Sequence, residues 1–221
     1  MRIKTLVAAM AAVASLAPIA AQAQAAAENP WMIRVRAVDV LFQNGQSNGT
    51  NNAGLGVQTN NIQASNTWIP EFDISYFFTK NIAAELVLTY PQQVNITSNL
   101  AANQSGKITA LPPSLLLQYH FTDFGAFKPY VGAGVNYTIF GNRQNFPALG
   151  NVLTVDQSSF GFAAQIGADY MFDKNWGLNV DVKYITMSTN VNPANAGGGS
   201  GSLGKLTLNP WTPGVGVTYK F

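Results

Sequence analysis

The chain has 221 residues, a formal net charge of +2, a single His and no Cys. So small a charge does not argue for nucleic acid or an acidic partner, and without cysteine there is neither disulfide stapling nor thiol chemistry. Charged residues are 10% of the chain, far below the roughly one quarter of ordinary soluble domains.

Arg2 and Lys4 precede an apolar, Ala-rich stretch from Leu6 to Ile19, followed by Ala21-Gln22-Ala23 and Ala23-Gln24-Ala25. That is the layout of a secretory signal peptide with an A-x-A cleavage site. The apolar part is short for a membrane span of about 20 residues. Residues 1–23 are therefore predicted to be a signal peptide, cleaved after Ala23 or Ala25, and 24–221 a single domain. No later segment offers the 18 or so continuous apolar residues of a helical span. An exported chain that is poor in charge and 11% aromatic points instead to a membrane crossed by strands. Only helices and closed barrels satisfy every backbone group in lipid.

Period-two alternation marks eight strands, at about 31–42, 67–79, 82–97, 107–121, 128–140, 160–172 and 176–186, and a last one ending at Phe221. In the seventh, Trp176, Leu178, Val180, Val182 and Tyr184 oppose Gly177, Asn179, Asp181 and Lys183. Short connections (Thr79-Lys80-Asn81, Thr122 to Phe127, Asp173-Lys174-Asn175) alternate with long ones at about 43–66, 98–106, 141–157 and 190–202. The long ones are rich in Asn, Gly, Gln and Ser, the composition of flexible loops. The predicted fold is all-β: an eight-stranded antiparallel transmembrane β-barrel with short periplasmic turns, long extracellular loops and both termini in the periplasm. The Gly-rich segment 129–135 suits the inner face of a narrow barrel.

Charge placement orients the wall. Arg34, Arg36, Glu71, Asp73, Glu85, His120, Asp169, Asp181, Lys183 and Lys220 share the face opposite the aromatic and aliphatic one, Asp39 being the exception. An Arg or Lys facing mid-bilayer lipid costs about 2–4 kcal/mol. Strand direction then gives depth. Arg34, Arg36, Asp73, Glu85, Asp169 and Lys220, with Glu71, Asp181 and Lys183 above them, form a predicted luminal charged plug. Val38, Val40, Val87, Leu116, Phe140, Ile185, Met187 and Leu208 form an apolar layer over it. The plug reads as a salt-bridged core that blocks the axis, the other reading being an ion-selective channel. The apolar layer reads either as packed core or as a pocket open to the outside.

A solute in such a pocket would have to leave sideways. Pro91, Pro112, Pro113, Pro210 and Pro213 lie in or beside the upper strand segments, and each removes a ladder N–H. Pro91, Pro112 and Pro113 fall on neighbouring strands and mark a predicted lateral gap. No catalytic residues, cofactor or metal site are expected, because the sole histidine, His120, maps to the periplasmic end without a His or Cys partner.

Asn81-Ile82-Ala83-Ala84-Glu85-Leu86, Leu111-Pro112-Pro113-Ser114-Leu115, the run Lys128-Pro129-Tyr130-Val131-Gly132-Ala133-Gly134-Val135-Asn136-Tyr137, Gly167-Ala168-Asp169-Tyr170 and the terminal Leu208-Asn209-Pro210-Trp211 with Val217-Thr218-Tyr219-Lys220-Phe221 resemble the outer membrane protein W family. The match spans nearly all of the mature chain in motif order. The resemblance implies a bacterial outer-membrane barrel with an apolar pocket, used in uptake of small hydrophobic compounds; some members serve as colicin or phage receptors. It also implies that Phe221 is the signal read by the barrel-insertion machinery, with outer-membrane lipid, lipopolysaccharide and small apolar solutes as the other partners and no nucleic acid. Positions where members can carry a Leu and a Trp on the inner wall are Val87 and Lys183 here. The resemblance thereby places a cation at the pocket floor, where amphipathic or anionic solutes would fit as well. The expected function is a channel passing small hydrophobic or amphipathic molecules from an apolar luminal pocket, with lateral exit into the bilayer; the alternative is a structural or receptor barrel without transport.

Overall fold

The computed structural model describes residues 29–48, 62–98, 104–143, 153–193 and 204–221. The predicted signal peptide, its cleavage after Ala23 or Ala25 and the Gly-rich run 197–201 lie outside these residues. In chain order the strands begin with β1 (Trp31–Val40), β2 (Gly45–Asn48), β3 (Ile62–Ala64), β4 (Thr67–Phe77) and β5 (Ile82–Thr89). They continue with β6 (Gln92–Ser98), β7 (Gln104–Leu111), β8 (Ser114–His120), β9 (Phe127–Gly141) and β10 (Leu153–Val155). The last are β11 (Ser158–Met171), β12 (Trp176–Ile185), β13 (Ser188–Pro193), β14 (Gly204–Thr207) and β15 (Trp211–Lys220).

Eight of these close on themselves. The order β11-β12-β15-β1-β4-β5-β8-β9 returns from β9 to β11, every pair antiparallel. Closure leaves no edge in the lipid region, so the backbone satisfies itself without water. The predicted eight-stranded barrel is therefore the fold. Along β12, Val180 is 55% exposed while Lys183, three residues on, is fully buried. This is a soluble protein turned inside out: aliphatic and aromatic groups face lipid, and charges face a filled lumen. Glycine makes that filling possible at two places. A Cβ on Gly167 would overlap the Tyr130 hydroxyl, and one on Gly216 would overlap the Arg36 side chain.

Aromatic pairs ring the periplasmic end on the outer face. Trp31 packs on Tyr76 at 4.9 Å between centroids, Trp176 on Tyr219 at 4.7 Å and Tyr119 on Phe121 at 5.0 Å. Amphipathic rings are at home at the membrane–water boundary.

The wall continues above the ring: the upper parts of the strands expected at about 82–97 and 107–121 form β6 and β7, and the expected long loops at about 43–66 and 141–157 contain β2, β3 and β10. β6 and β7 form a hairpin flanked by β3 and the top of β9, and β10-β13-β14-β2 form a second sheet. Side-chain and backbone bonds link the two. Asn44 donates Nδ2 to Ala64 O at 2.9 Å and accepts from Ala64 N at 2.7 Å, while Arg143 Nη1 donates to Val155 O at 3.2 Å. The pattern here is inverted. Val94, Ile108, Val155, Val191 and Leu206 are buried, whereas Asn95, Lys107 and Lys205 are exposed. Outside the bilayer water wets the outer face, so a strand shows polar residues outward and apolar ones inward. The expected strands at about 82–97 and 107–121 are each broken, at Tyr90-Pro91 and at Pro112-Pro113.

Candidate functional site: a buried ionic network under an apolar cavity

The cross-strand register assembles the lower lumen. Arg34 stands opposite Asp73 and Arg36 opposite Glu71 on β1 and β4, while Asp169 lies opposite Asn179 on β11 and β12. Arg34 forks onto Asp169, with Nη2 2.7 Å from Oδ2 and Nε 3.1 Å from Oδ1. Its Nη1 reaches Glu85 and Ser75, and its guanidinium lies 4.6 Å from the centre of the Tyr130 ring. Arg36 is ringed by acids: Nη2 is 2.6 Å from Asp73 Oδ2, Nε 3.0 Å from Glu71 Oε1 and Nη1 3.4 Å from Asp181 Oδ1. Its contacts to Glu71 and Asp73 lie off the N–H directions, so they act as ion pairs rather than aligned hydrogen bonds. Lys183 Nζ donates to Glu71 Oε1 at 2.8 Å and to Asp181 Oδ1 at 2.7 Å.

Neutral donors complete the set. Asn179 Nδ2 donates to Asp169 Oδ1 at 2.9 Å, Tyr130 Oη to Asp181 Oδ2 at 3.0 Å and Gln165 Nε2 to Glu85 Oε1 at 3.1 Å. Burying an ion costs several kcal/mol, and partners must offset it on every side. The network spans the lumen from β1 and β4 to β11 and β12. Eight of the nine predicted plug residues are buried in this network. Lys220 is half-buried, 5.5 Å from the Phe77 ring centre. His120 stacks on Tyr130 at 5.0 Å and pairs its Nε2 with Gln118 Oε1 at 2.9 Å.

Above the plug lies a narrow cavity of about 30 Å³ that opens at its mouth. Of the eight predicted pocket residues, Val38, Val40, Val87, Ile185, Met187 and Leu208 line it. Leu116 and Phe140 do not; they are buried beside it in the same apolar cluster as Val87 and Met187. Phe42, Ile69, Val94, Ala110, Pro112 and Pro210 complete the apolar wall, and Glu71, Thr89, Gln92 and Thr212 supply its polar atoms.

Two of these assignments differ from the sequence reading. Lys183 does not line the cavity floor, because its ammonium is drawn down between Glu71 and Asp181; the ionic residue facing the cavity is Glu71. Gln92 and Val94 escaped the alternation because the wall slips by one residue. Val87 and Thr89 point inward, and so do Gln92 and Val94, so Tyr90-Pro91 inserts an extra position and reverses the phase, as a β-bulge does. Phe42 and Ile69 were legible in principle, each continuing an inward row (Val38, Val40; Asp73, Glu71).

The ladder opens at the same place. Between β5 and β8 it stops at Val87 opposite Ser114, and it resumes between β6 and β7 at Gln92 opposite Ala110. Residues 88–91 and 111–113 are left unpaired across this break. Pro91 and Pro112-Pro113, the predicted gap residues, thus face each other across it. On the far side Asn136 Nδ2 donates to Pro112 O at 3.2 Å and to Pro113 O at 3.1 Å, tying the prolines to β9. Thr89, Gln92, Ala110 and Pro112, on the two lips of the break, all line the cavity.

Comparison with known proteins agrees with this architecture. The outer-membrane protein y4mB of Sinorhizobium fredii is 47% identical over 205 residues, 91% of this chain and 84% of its own length. The dibenzothiophene metabolism operon protein PahQ of Pseudomonas aeruginosa is 27% identical over 206 residues, covering 89% of this chain and 90% of that protein. The crystal structure of the outer membrane protein OprG from Pseudomonas aeruginosa superposes with a TM-score of 0.69 at 28% identity, over 88% of this chain and 96% of OprG. The OmpW family model matches residues 28–221. With a closed eight-stranded wall, a charged lumen and a family match across the whole barrel, the chain belongs to the OmpW family of bacterial outer-membrane proteins.

Proposed function

We propose that the barrel passes small hydrophobic or amphipathic molecules across the outer membrane, taking them into the apolar cavity and releasing them sideways into the bilayer. One observation carries the reading: the apolar cavity lies over the buried ionic network, and its wall includes both lips of a break in the strand ladder. A molecule in the cavity cannot continue down the axis without displacing Arg36, Lys183 and their carboxylates. It can reach lipid between Pro91 and Pro112, where few backbone bonds need to part. A relative encoded in a dibenzothiophene metabolism operon supports an apolar solute. On this reading the partners are the solute, outer-membrane lipid and lipopolysaccharide, and the barrel-insertion machinery engaging Phe221, whose ring is 47% exposed at the end of β15.

The test is an uptake assay in outer-membrane vesicles with a graded series of apolar and amphipathic solutes, comparing the native barrel with Met187→Arg. Uptake above protein-free vesicles that the arginine abolishes, in a barrel that still folds, is expected. No uptake of any solute would make a structural or receptor barrel the better reading.

A further inference from the structure

The cavity is not uniformly greasy. Three of its four polar lining residues share one side of the wall, where Glu71 on β4 stands directly opposite Thr89 on β5, with Gln92 on β6; the fourth, Thr212, stands apart on β15. The Thr89 hydroxyl is buried and has no hydrogen-bond partner. Valine would fill this strand position with the same shape and no unpaired polar atom. Glu71 differs from its neighbours in the plug because it also faces the cavity, while its Oε1 receives Lys183 and Arg36 from beneath. Directly opposed residues have Cβ atoms about 4.5–5.5 Å apart, so a single oxygen placed between them reaches both.

We infer that the cavity receives a neutral amphiphile whose one polar head donates a hydrogen bond, an alcohol or phenol in the simplest case. The head O–H donates to the Glu71 carboxylate and accepts from the Thr89 hydroxyl, and the tail lies against Val38, Ile69, Val87 and Met187. This rests on the pocket reading above and narrows its solute class. Carboxylates are rejected. Five buried carboxylates (Glu71, Asp73, Glu85, Asp169, Asp181) face three buried cations (Arg34, Arg36, Lys183), and the cation nearest the floor is already shared between Glu71 and Asp181. An ammonium head would have to displace Lys183 from Glu71 and lose its hydration among aliphatic walls.

The test uses the full barrel in lipid nanodiscs, with the methyl signal of Met187 followed by NMR during titration with 1-hexanol, hexane, hexanoate and hexylammonium at neutral pH. Hexanol is expected to shift the signal saturably, and hexanoate and hexylammonium to bind at least about tenfold more weakly, a charged head being dearer to desolvate than a neutral one. Thr89→Val is expected to weaken hexanol about fivefold, the worth of one net hydrogen bond, while leaving hexane unchanged. Thr89→Ser should retain the native hexanol affinity, which separates loss of the hydroxyl from a disturbed wall. If hexanol is insensitive to Thr89→Val, if the variant weakens hexane equally, or if either ion binds as tightly as hexanol, the inference falls and the pocket reading stands. If no solute moves Met187, the pocket reading itself falls and takes the inference with it.

Discussion

At the scale of single residues, the lumen is held by charges that would be a liability if left unpaired. Lys183 is fully buried and its two partners, Glu71 and Asp181, are 4% and 2% exposed. Removing one member of such a set strands the others, at a cost of about 3–5 kcal/mol. Lys183→Met is therefore expected to lower the unfolding free energy of the refolded barrel in liposomes, taken from urea titration read by Trp fluorescence, by an amount in that range. Adding Asp181→Asn should return part of the loss, since it removes one stranded charge; an additive double mutant would mean that the two side chains are not coupled. A milder case sits at the periplasmic rim. Asp173 Oδ1 accepts from the backbone N–H groups of Trp176 and Asn175, each at 2.7 Å, and these bonds hold its carboxyl below the ordinary carboxylate range. A depressed folded-state value means the turn is fully supported above the unfolded value of about 3.9 and loses that support as pH falls through the lower, folded value. The Trp176 amide resonance should stay constant from neutral pH down to about 5 and move only below about 4. Movement between pH 7 and 5 would assign the turn to another group.

At the scale of elements, proline sets where the wall is weak. Pro91, Pro112 and Pro113 bring no N–H to the ladder, and residues 88–91 and 111–113 do not pair with each other across adjacent staves, though Leu88 and Thr89 keep their pairing to β4 and Leu111 to β9. Amides there should exchange with solvent faster than those of β11, which is paired along most of its length to both β9 and β12. Hydrogen exchange measured by NMR in nanodiscs is expected to show Tyr90 among the early exchangers of the barrel wall, and Ala164 to Ala168 among the last. Protection at Tyr90 equal to that at Ile166 would close the proposed exit. The strands that cross lipid were legible in the sequence because lipid enforces a strict apolar face, as along Trp176 to Tyr184. The breaks were legible as prolines. What the sequence did not reveal is the phase slip at Tyr90-Pro91, since nothing in a local pattern says whether a proline interrupts the alternation or shifts it. Gln92 and Val94 were lost to the site for that reason, and Lys183 was misplaced because its partners come from β4 as well as β12, a meeting that only closure decides.

At the scale of the whole molecule, the barrel works in two solvents, and the wall changes its rule where the solvent changes. Through the ring, residues such as Val35, Val180 and Val215 face outward at 54%, 55% and 56% exposure. Above it the outward residues include Asn95, Lys107 and Lys205, and the buried ones Val94, Ile108 and Leu206. A reading tuned to apolar-out alternation finds the first zone and passes over the second, which is why β2, β3 and β10 read as loop in the sequence. The same inversion predicts opposite outcomes for one substitution made at two heights. Val180 sits in the middle of β12, opposite Ala168 on one side and Val215 on the other, so an arginine there meets the hydrocarbon core. Val180→Arg should cost about 2–4 kcal/mol of folding free energy in bilayers and slow insertion. Asn95 points outward on β6, opposite Lys107 on β7, in the zone read as water-facing. Asn95→Arg should change stability by no more than about 0.5 kcal/mol, as exposed surface substitutions usually do. Equal penalties at the two sites would mean that the upper hairpin is also embedded in lipid, and the cavity would then open into the membrane rather than into the medium.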